Sequence, residues 1–167
     1  MNKHLKVDLL SAEEWPRLRE LRLASLKENS EAFGGKFESE STFSETQWRE
    51  KFENLDFIVA SIDGVDAGLM SVEILKGDYG ATCWIGGCWT NPDFRGQGAL
   101  RALFEYLDVH AVDKSWQRQG LGVWKDNEKA IAAYHAIGFS VVGEKHPSER
   151  QPGRFYMHLV RDSEVNC

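Results

Sequence analysis

Apolar residues recur along the chain at two spacings, one helical and one typical of strands. Trp15, Leu18 and Leu21 follow one another at helical intervals, which predicts a helix with one buried face. The Asp63-Gly64 pair separates two apolar runs, which predicts a tight turn between paired strands. Helices are predicted over residues 12–28, 44–53, 100–111 and 127–137, and strands over residues 7–10, 57–62, 65–75, 81–90, 121–124, 140–144 and 155–160.

The order of these elements indicates the fold class. The second half of the chain alternates strands with helices and then ends in two strands, which implies a mixed sheet covered by helices. Residues 29–43, with their Gly34-Gly35 pair, are predicted to form a long loop. We therefore predict an α/β fold and a single domain spanning residues 1–167.

Composition narrows the functional classes. The 167 residues are 42% hydrophobic and 28% charged, a balance typical of globular proteins. No apolar run approaches the roughly 20 residues that cross a bilayer, and the first eight residues lack the features of a secretory signal. The net charge of −6 disfavours nucleic-acid binding. Cys83, Cys88 and Cys167 lack metal-ligand spacing, so we expect free thiols in a reducing cytoplasm and no metal.

A glycine-rich turn between a predicted strand and a predicted helix is the sharpest motif. Residues 91–103 read NPDFRGQGALRAL. Such a turn leaves backbone N–H groups converging at a helix N-terminus, which favours an anion such as a phosphate. Gly96 and Gly98 would let the backbone approach a ligand without a Cβ in the way. The turn is neither a Walker A loop nor a dinucleotide-binding GxGxxG, and a plain strand–helix connection is the alternative.

A second motif follows at a fixed distance. Val123-Trp124-Lys125-Asp126-Asn127 precedes Ala130-Ile131, Tyr134 and Gly138-Phe139. With Thr90-Asn91-Pro92 and the turn after it, this order resembles the GNAT superfamily of acetyl-CoA-dependent N-acetyltransferases, over about residues 81–139. The resemblance implies a GNAT-like domain: a central mixed, mostly antiparallel twisted sheet of six to seven strands flanked by about four helices.

Acetyl-CoA is the cosubstrate that this resemblance implies. Its pyrophosphate would bind the turn, and its pantetheine arm would hydrogen-bond to the strand before the turn. The residues implied in cofactor binding are Cys88, Trp89, Thr90, Arg95, Gly96, Gln97, Gly98, Ala99, Leu100, Asn127 and Tyr134. Leu100 departs from the family, which usually has Gly or Ala there. Gly86-Gly87 is compatible with a bulge that bends this strand, and equally with two small residues under a bulky neighbour.

Tyr134 is the residue that the resemblance implies as the acid for the departing thiolate. By helical spacing alone it would be a core aromatic. Asn127 has the alternative role of a helix N-cap. Cys88 is expected to be a small buried hydrophobe and not a nucleophile.

The general base is less defined, because residues 81–90 contain no carboxylate. Glu73, on the preceding predicted strand, is our candidate. Asp78, one of three histidines or an ordered water is the alternative. Those histidines are His135, His146 and His158.

The acceptor is expected to bind the N-terminal half of the chain. Residues 28–56 hold eight acids and three bases, an acidic rim that could attract a cationic amine or simply be a solvated surface. Phe33, Phe37 and Phe43 would line an acceptor pocket or anchor the loop. The sequence thus predicts acetyl transfer to a primary amine of a small molecule or peptide, by direct attack in a ternary complex. A non-catalytic acyl-CoA-binding module is the alternative, and a homodimer is expected from the family.

Overall fold

The computed structural model describes residues 3–30, 33 and 35–164. Statements about Glu31, Gly34 and Cys167 made from the sequence lie outside these residues. The described strands are β1 (Leu5–Leu9), β2 (Leu55–Ile62), β3 (Val65–Ile74), β4 (Cys83–Thr90), β5 (Arg118–Trp124), β6 (Ser140–Pro147) and β7 (Phe155–Asp162). The described α-helices are α1 (Trp15–Glu28), α2 (Phe37–Glu40), α3 (Glu45–Glu50), α4 (Ala99–Lys114) and α5 (Glu128–Ile137).

The strands form one mixed sheet in the order β1-β2-β3-β4-β5-β7-β6. Four neighbouring pairs are antiparallel: β1 with β2, β2 with β3, β5 with β7, and β6 with β7. β4 and β5 are parallel, with Cys83 opposite Gln119. The predicted α/β class and the mostly antiparallel mixed sheet are therefore confirmed.

One helix was not predicted. α2 lies inside the segment expected to be a loop, and it covers only four residues. A helix of about one turn is too short to show periodicity. Glu40, at its end, is buried and ion-paired with Arg22 of α1, so a contact between residues 18 apart holds this turn of helix. The described chain thus has five α-helices where about four were expected.

Contacts divide the chain into two units, which are described separately. The first comprises Met1–Glu73 and Gly87–Tyr106, and the second comprises Ile74–Gly86 and Leu107–Cys167. In the first unit the core lies against β2 and β3, whose turn places Asp63 at φ 50° and Gly64 at φ 82°, as a two-residue hairpin requires. The buried members of its core are Leu10, Leu18, Leu21, Leu23, Trp48, Phe57, Val59, Leu69 and Trp89.

Arg161 of β7 organises the second unit. Its guanidinium donates to both carboxylate oxygens of Asp108 on α4, at 2.8 and 2.7 Å. It also donates to Gln119 of β5 at 2.8 Å and to the carbonyl of Ile137, at the end of α5, at 3.0 Å. Its side chain is 5% exposed, so a buried charge is satisfied from three other elements.

Candidate active site

The glycine-rich turn leads from β4 into α4. Gly96 has φ 77° and Gly98 has φ 91°, a left-handed conformation that favours glycine. A Cβ on either residue would meet no atom within 4 Å. Conformation, and not lack of space within the protein, therefore requires glycine at both positions.

Open backbone donors cluster at this turn. The first hydrogen bond of α4 runs from the amide of Ala102 to the carbonyl of Gly98. None of the six amides of residues 96–101 has an acceptor among the described residues. Consecutive N–H groups at the start of a 16-residue helix can hold an anion, because they add hydrogen bonds to the helix dipole. Leu100 is the second residue of α4 and half-buried, and its amide is one of the six.

Glu28, at the end of α1, holds the turn in place. One of its carboxylate oxygens accepts from Arg95 at 3.1 Å, and the other accepts from the indole of Trp89 at 2.9 Å. Arg95 also donates from Nε to the carbonyl of Thr90 at 3.2 Å. The Arg95 side chain is therefore engaged within the protein, and its amide donates to Pro92. Sequence reasoning missed this role of Glu28, since 61 and 67 residues separate it from its partners.

The strand segment before the turn contains the other expected cofactor residues. Trp89 is buried in the first unit's core, whereas Thr90 is half-buried. Cys88 is also half-buried, so the expectation that it is a buried residue is wrong. Gly87 has φ 54°, so it interrupts the extended conformation of β4, which agrees with the interpretation of Gly86-Gly87 as a bend in this strand. A Cβ there would lie 3.3 Å from Nη1 of Arg22, so bulk at Gly87 would press on that guanidinium.

A cavity of about 130 Å³ lies in the first unit, beside Gly87. Its walls come from α1, α3 and the turn after it, β2, β3 and β4. Apolar side chains dominate, and Arg22, Lys51 and Ser71 supply polar groups. The lining residues are Leu18, Arg22, Trp48, Lys51, Leu55, Phe57, Leu69, Ser71 and Gly87.

Glu73 lies close to this cavity along β3. Leu69, Ser71 and Glu73 alternate with residues that face the other way, so they share one face of the strand. Leu55, which lines the cavity, is opposite Glu73 in the register. Glu73 is half-buried, and the strand geometry puts it two residues beyond the cavity wall.

The charged side chains that line the cavity are cations, although residues 28–56 hold more acids than bases. Glu40 is buried, with 8% of its side chain exposed, and receives two hydrogen bonds from Arg22, at 3.0 and 3.1 Å. Lys51 Nζ lies 4.0 Å from the same carboxylate. Burial lowers the pKa of Lys51, Arg22 lowers it further, and Glu40 acts in the opposite direction. Other acids of the segment, including Glu38, Glu50 and Glu53, are exposed. The cavity itself therefore carries cations.

Asn127 immediately precedes α5, and Tyr134 lies within this helix, in the second unit. Asn127 Oδ1 accepts from the amide of Ala130 at 3.3 Å, so the alternative role of Asn127, that of a helix N-cap, is confirmed. Gly138, at φ 116°, ends the helix, as a left-handed C-cap does. Tyr134 is half-buried and meets Phe139 edge-on, with ring centroids 5.6 Å apart. The aromatic packing and the hydroxyl are thus available on the same side chain.

The alternative bases fall into different environments within the second unit. His146 and His158 stack with ring centroids 4.4 Å apart, beside Tyr156. His135 is exposed, and its Nδ1 lies 3.2 Å from the carbonyl of Phe139. Asp78 is exposed in the turn before β4. The two stacked rings form an aromatic cluster, which gives them a packing role.

Two structural features are absent from the described residues. No helix among them is long and apolar enough to cross a membrane. Within residues 3–30, 33 and 35–164, no three His, Cys, Asp or Glu side chains form a group that could hold a metal ion.

Comparison with solved structures supports the fold. A GNAT-family acetyltransferase from Streptococcus pneumoniae matches with a TM-score of 0.74 and 13% identity, over 95% of this chain and 99% of that one. The ribosomal-protein-S5-alanine acetyltransferase of Vibrio fischeri matches with a TM-score of 0.75 and 13% identity, over 98% and 96%. YncA from Salmonella typhimurium, solved with its cofactor acetyl-CoA, matches with a TM-score of 0.71 and 14% identity, over 98% and 96%.

Sequence comparison identifies the family. No curated protein sequence matches the chain. Residues 15–139, however, match the model of the acetyltransferase (GNAT) family, a span that includes both the glycine-rich turn and α5. Because that match covers most of the chain, the protein belongs to the GNAT family of acetyltransferases.

Proposed function

We propose that this protein transfers an acetyl group from acetyl-CoA to a primary amine. The observation that carries the proposal is the run of six amides, residues 96–101, that have no acceptor among the described residues. A pyrophosphate supplies several anionic oxygens, which suit such a run of donors. Gly87, which lines the cavity, immediately precedes Cys88, Trp89 and Thr90 in the chain. We assign these three residues to binding of the pantetheine arm. An acceptor in that cavity would therefore be next to the cofactor strand.

In the proposed reaction the amine attacks the thioester directly in a ternary complex. The lone pair of the amine nitrogen forms a C–N bond with the acetyl carbonyl carbon, the C–S bond breaks, and its electron pair leaves on sulfur. Glu73 takes a proton from the ammonium form of the substrate, because an ammonium has no lone pair for attack. The Tyr134 hydroxyl gives a proton to the departing thiolate, so coenzyme A leaves as a neutral thiol. After the attack the nitrogen loses a second proton to solvent as the neutral amide forms, and solvent returns a proton to the Tyr134 oxygen.

The remaining cofactor residues receive roles by position. The turn Arg95, Gly96, Gln97, Gly98, Ala99 and Leu100 would take the pyrophosphate, through the amides from Gly96 onwards. Asn127 would contact the arm of the cofactor while it caps α5. Acetyl-CoA is the cosubstrate in this scheme, and no metal is required.

The acceptor class includes peptides as well as small molecules. One structural neighbour is named as a ribosomal-protein-S5-alanine acetyltransferase, and another is described as modifying the N-terminal serine of ribosomal protein L7/L12. These names make a peptide amine a candidate acceptor here. We further propose that residues 1–167 act as one N-acetyltransferase domain in the cytoplasm, as a homodimer.

Two measurements test the proposed function. Calorimetry should detect acetyl-CoA binding to the protein, and a thiol-release assay with a panel of primary amines should detect transfer above the rate without acceptor. Acetyl-CoA binding without thiol release for any amine would favour a non-catalytic acyl-CoA-binding module. Leu100, in place of the usual Gly or Ala, would then be a mark of lost activity. Absence of binding would contradict both.

A further inference from the structure

The cavity in the first unit contains a guanidinium that is only partly paired. Arg22 uses Nε and Nη2 to bind the two carboxylate oxygens of Glu40. Its Nη1 has no acceptor among the described residues and lies 3.3 Å from the position that a Cβ on Gly87 would take. The side chain is 19% exposed. Arg22 therefore presents N–H donors at the cavity wall beside β4.

Lys51 adds a second positive charge to the same cavity. Its ammonium lies over the rings of Phe43 and Trp48, 5.3 and 5.5 Å from their centroids. Its anionic neighbour among the described residues is Glu40, whose carboxylate is already paired with Arg22. Two cations thus share one carboxylate, which leaves a net charge of +1. Partial burial lowers the pKa of Lys51, which is the expected effect on a half-buried cation that shares its counter-ion.

One lining residue, Trp48, has a buried polar group of its own. Trp48 is fully buried, and its indole N–H has no hydrogen-bond acceptor among the described residues. Buried polar groups are normally satisfied. The cavity wall therefore combines two cations with N–H donors, and the two cations share one carboxylate, that of Glu40.

From this arrangement we propose that the cavity binds a carboxylate of the acceptor, so that the substrate is a small amine that also carries a carboxylate. The inference rests on the proposed acetyl transfer and deepens it. A monoanion balances the +1 charge, and a carboxylate has two oxygens that can accept from Arg22 and Lys51 together. A polyamine is disfavoured, because it would bring further positive charge to two half-buried cations.

The size of the cavity restricts the rest of the molecule. An apolar cavity of about 150 Å³ holds benzene, a molecule of six carbon atoms, so a cavity of about 130 Å³ restricts the acceptor to about that number of carbon atoms or fewer. Leu18, Leu55 and Leu69 line the walls and favour an aliphatic group. Amino acids with a compact aliphatic side chain have this chemistry.

Matched pairs of amines test the selection. Leucine and isopentylamine share a carbon skeleton and differ by the carboxylate, and leucinamide keeps the shape without the charge. We expect kcat/KM for leucine to exceed that for the other two by about ten- to a hundredfold, since hydrogen bonds to charged groups are the strong ones. Equal values for the three amines would overturn the inference and leave acetyl transfer intact.

The Lys51→Met variant tests the source of the selection. Methionine keeps a flexible chain of similar length and removes the excess charge, so the preference for leucine should fall to within a few-fold of unity. Lys114→Met, at the exposed end of α4, is the control and should retain the preference. Retention of the preference in Lys51→Met would contradict the proposed site.

A binding measurement separates this inference from the proposed function. 4-Methylpentanoate has the leucine skeleton without the amine, so it can bind but cannot be acetylated. NMR titration of the Lys51 ammonium, assigned with Lys51→Met, should show a higher pKa for Lys51 when this carboxylate is present. That shift, without turnover of any amine, would support the cavity's ligand class and contradict acetyl transfer. No shift would overturn the inference, whatever the turnover.

Discussion

Tyr134 can serve both in packing and as the proposed acid, because its ring packs on Phe139 and the acid role needs only its hydroxyl. Tyr134→Phe keeps the ring and removes only the acid. We expect kcat to fall about a hundredfold, the low end for general acid catalysis, since water can also protonate a thiolate. Acetyl-CoA affinity and melting temperature should stay near the parent values. Steady-state kinetics with calorimetry measure this, and a Phe variant with full kcat would remove Tyr134 from the mechanism.

The roles of some single residues can be predicted from the sequence, and those of others cannot. The roles of Asn127 as N-cap and Gly138 as C-cap were predictable, because each acts on its own helix. Glu28, Glu40 and Lys51 were seen only as charges in an acidic stretch. Their partners are set by the packing of α1 against other elements, and no local spacing encodes such a contact. The charge at the cavity could therefore be read only from the structure.

At the scale of elements, the turn before α4 allows a matched comparison. Gly98 and Gly153 have nearly equal φ, 91° and 90°, and a Cβ at either would meet nothing within 4 Å. Aspartate should therefore cost similar stability at both, about 1–3 kcal/mol from backbone strain. Only Gly98→Asp places a carboxylate beside the open amides, so only it should weaken acetyl-CoA binding, by more than about tenfold. Equal affinity of the two variants would place the pyrophosphate elsewhere.

The link between β7 and α4 gives a second comparison. Asp108 is 13% exposed and pairs with buried Arg161, whereas Asp162 is 73% exposed and pairs with Arg118. Asp108→Ala should lower the free energy of unfolding by about 3–5 kcal/mol, because it leaves a buried charge without its counter-ion. Asp162→Ala should cost under about 1 kcal/mol. Urea unfolding measures both changes. Similar losses in the free energy of unfolding would show that the buried pair stabilises the fold no more than the exposed pair does.

Most elements were predictable because their signals are local. The helices predicted over residues 12–28 and 44–53 and the hairpin turn at Asp63-Gly64 lie where the sequence placed them. α2 was missed because its four residues depend on the contact of Glu40 with α1. Residue patterns do not specify the order of the strands in the sheet either, since pairing between distant segments depends on long-range contacts.

At the scale of the whole molecule, the second unit should make folding stability depend on pH. Burial lowers the pKa of His158, the neighbouring His146 lowers it further, and Asp78 acts in the opposite direction. The unfolded chain therefore binds this proton at a higher pH than the folded protein does. The free energy of unfolding should thus decrease as pH falls from about 7 through 6.5, the ordinary His value.

A His158 variant without the titratable ring nitrogens tests this pH dependence of folding stability. His158→Phe keeps an aromatic ring beside Trp84 and Tyr156 and removes the titration, so the fall in stability between about pH 7.5 and 5.5 should become smaller. His4→Phe, at an exposed position, is the control and should keep the parent slope. Chemical unfolding at several pH values gives both slopes, and an unchanged slope in His158→Phe would contradict the assignment.

The amides of residues 96–101 can also show by hydrogen exchange whether a ligand is bound at the turn. An amide hydrogen exchanges with solvent at a rate that depends on whether an acceptor holds it. These six N–H groups have no acceptor among the described residues, so their exchange should be fast in the free protein, in contrast to the interior of α4 a few residues later. An anion bound at the turn would give them acceptors and slow the exchange. Deuterium uptake of one short peptide could therefore measure ligand binding before any acceptor amine is known.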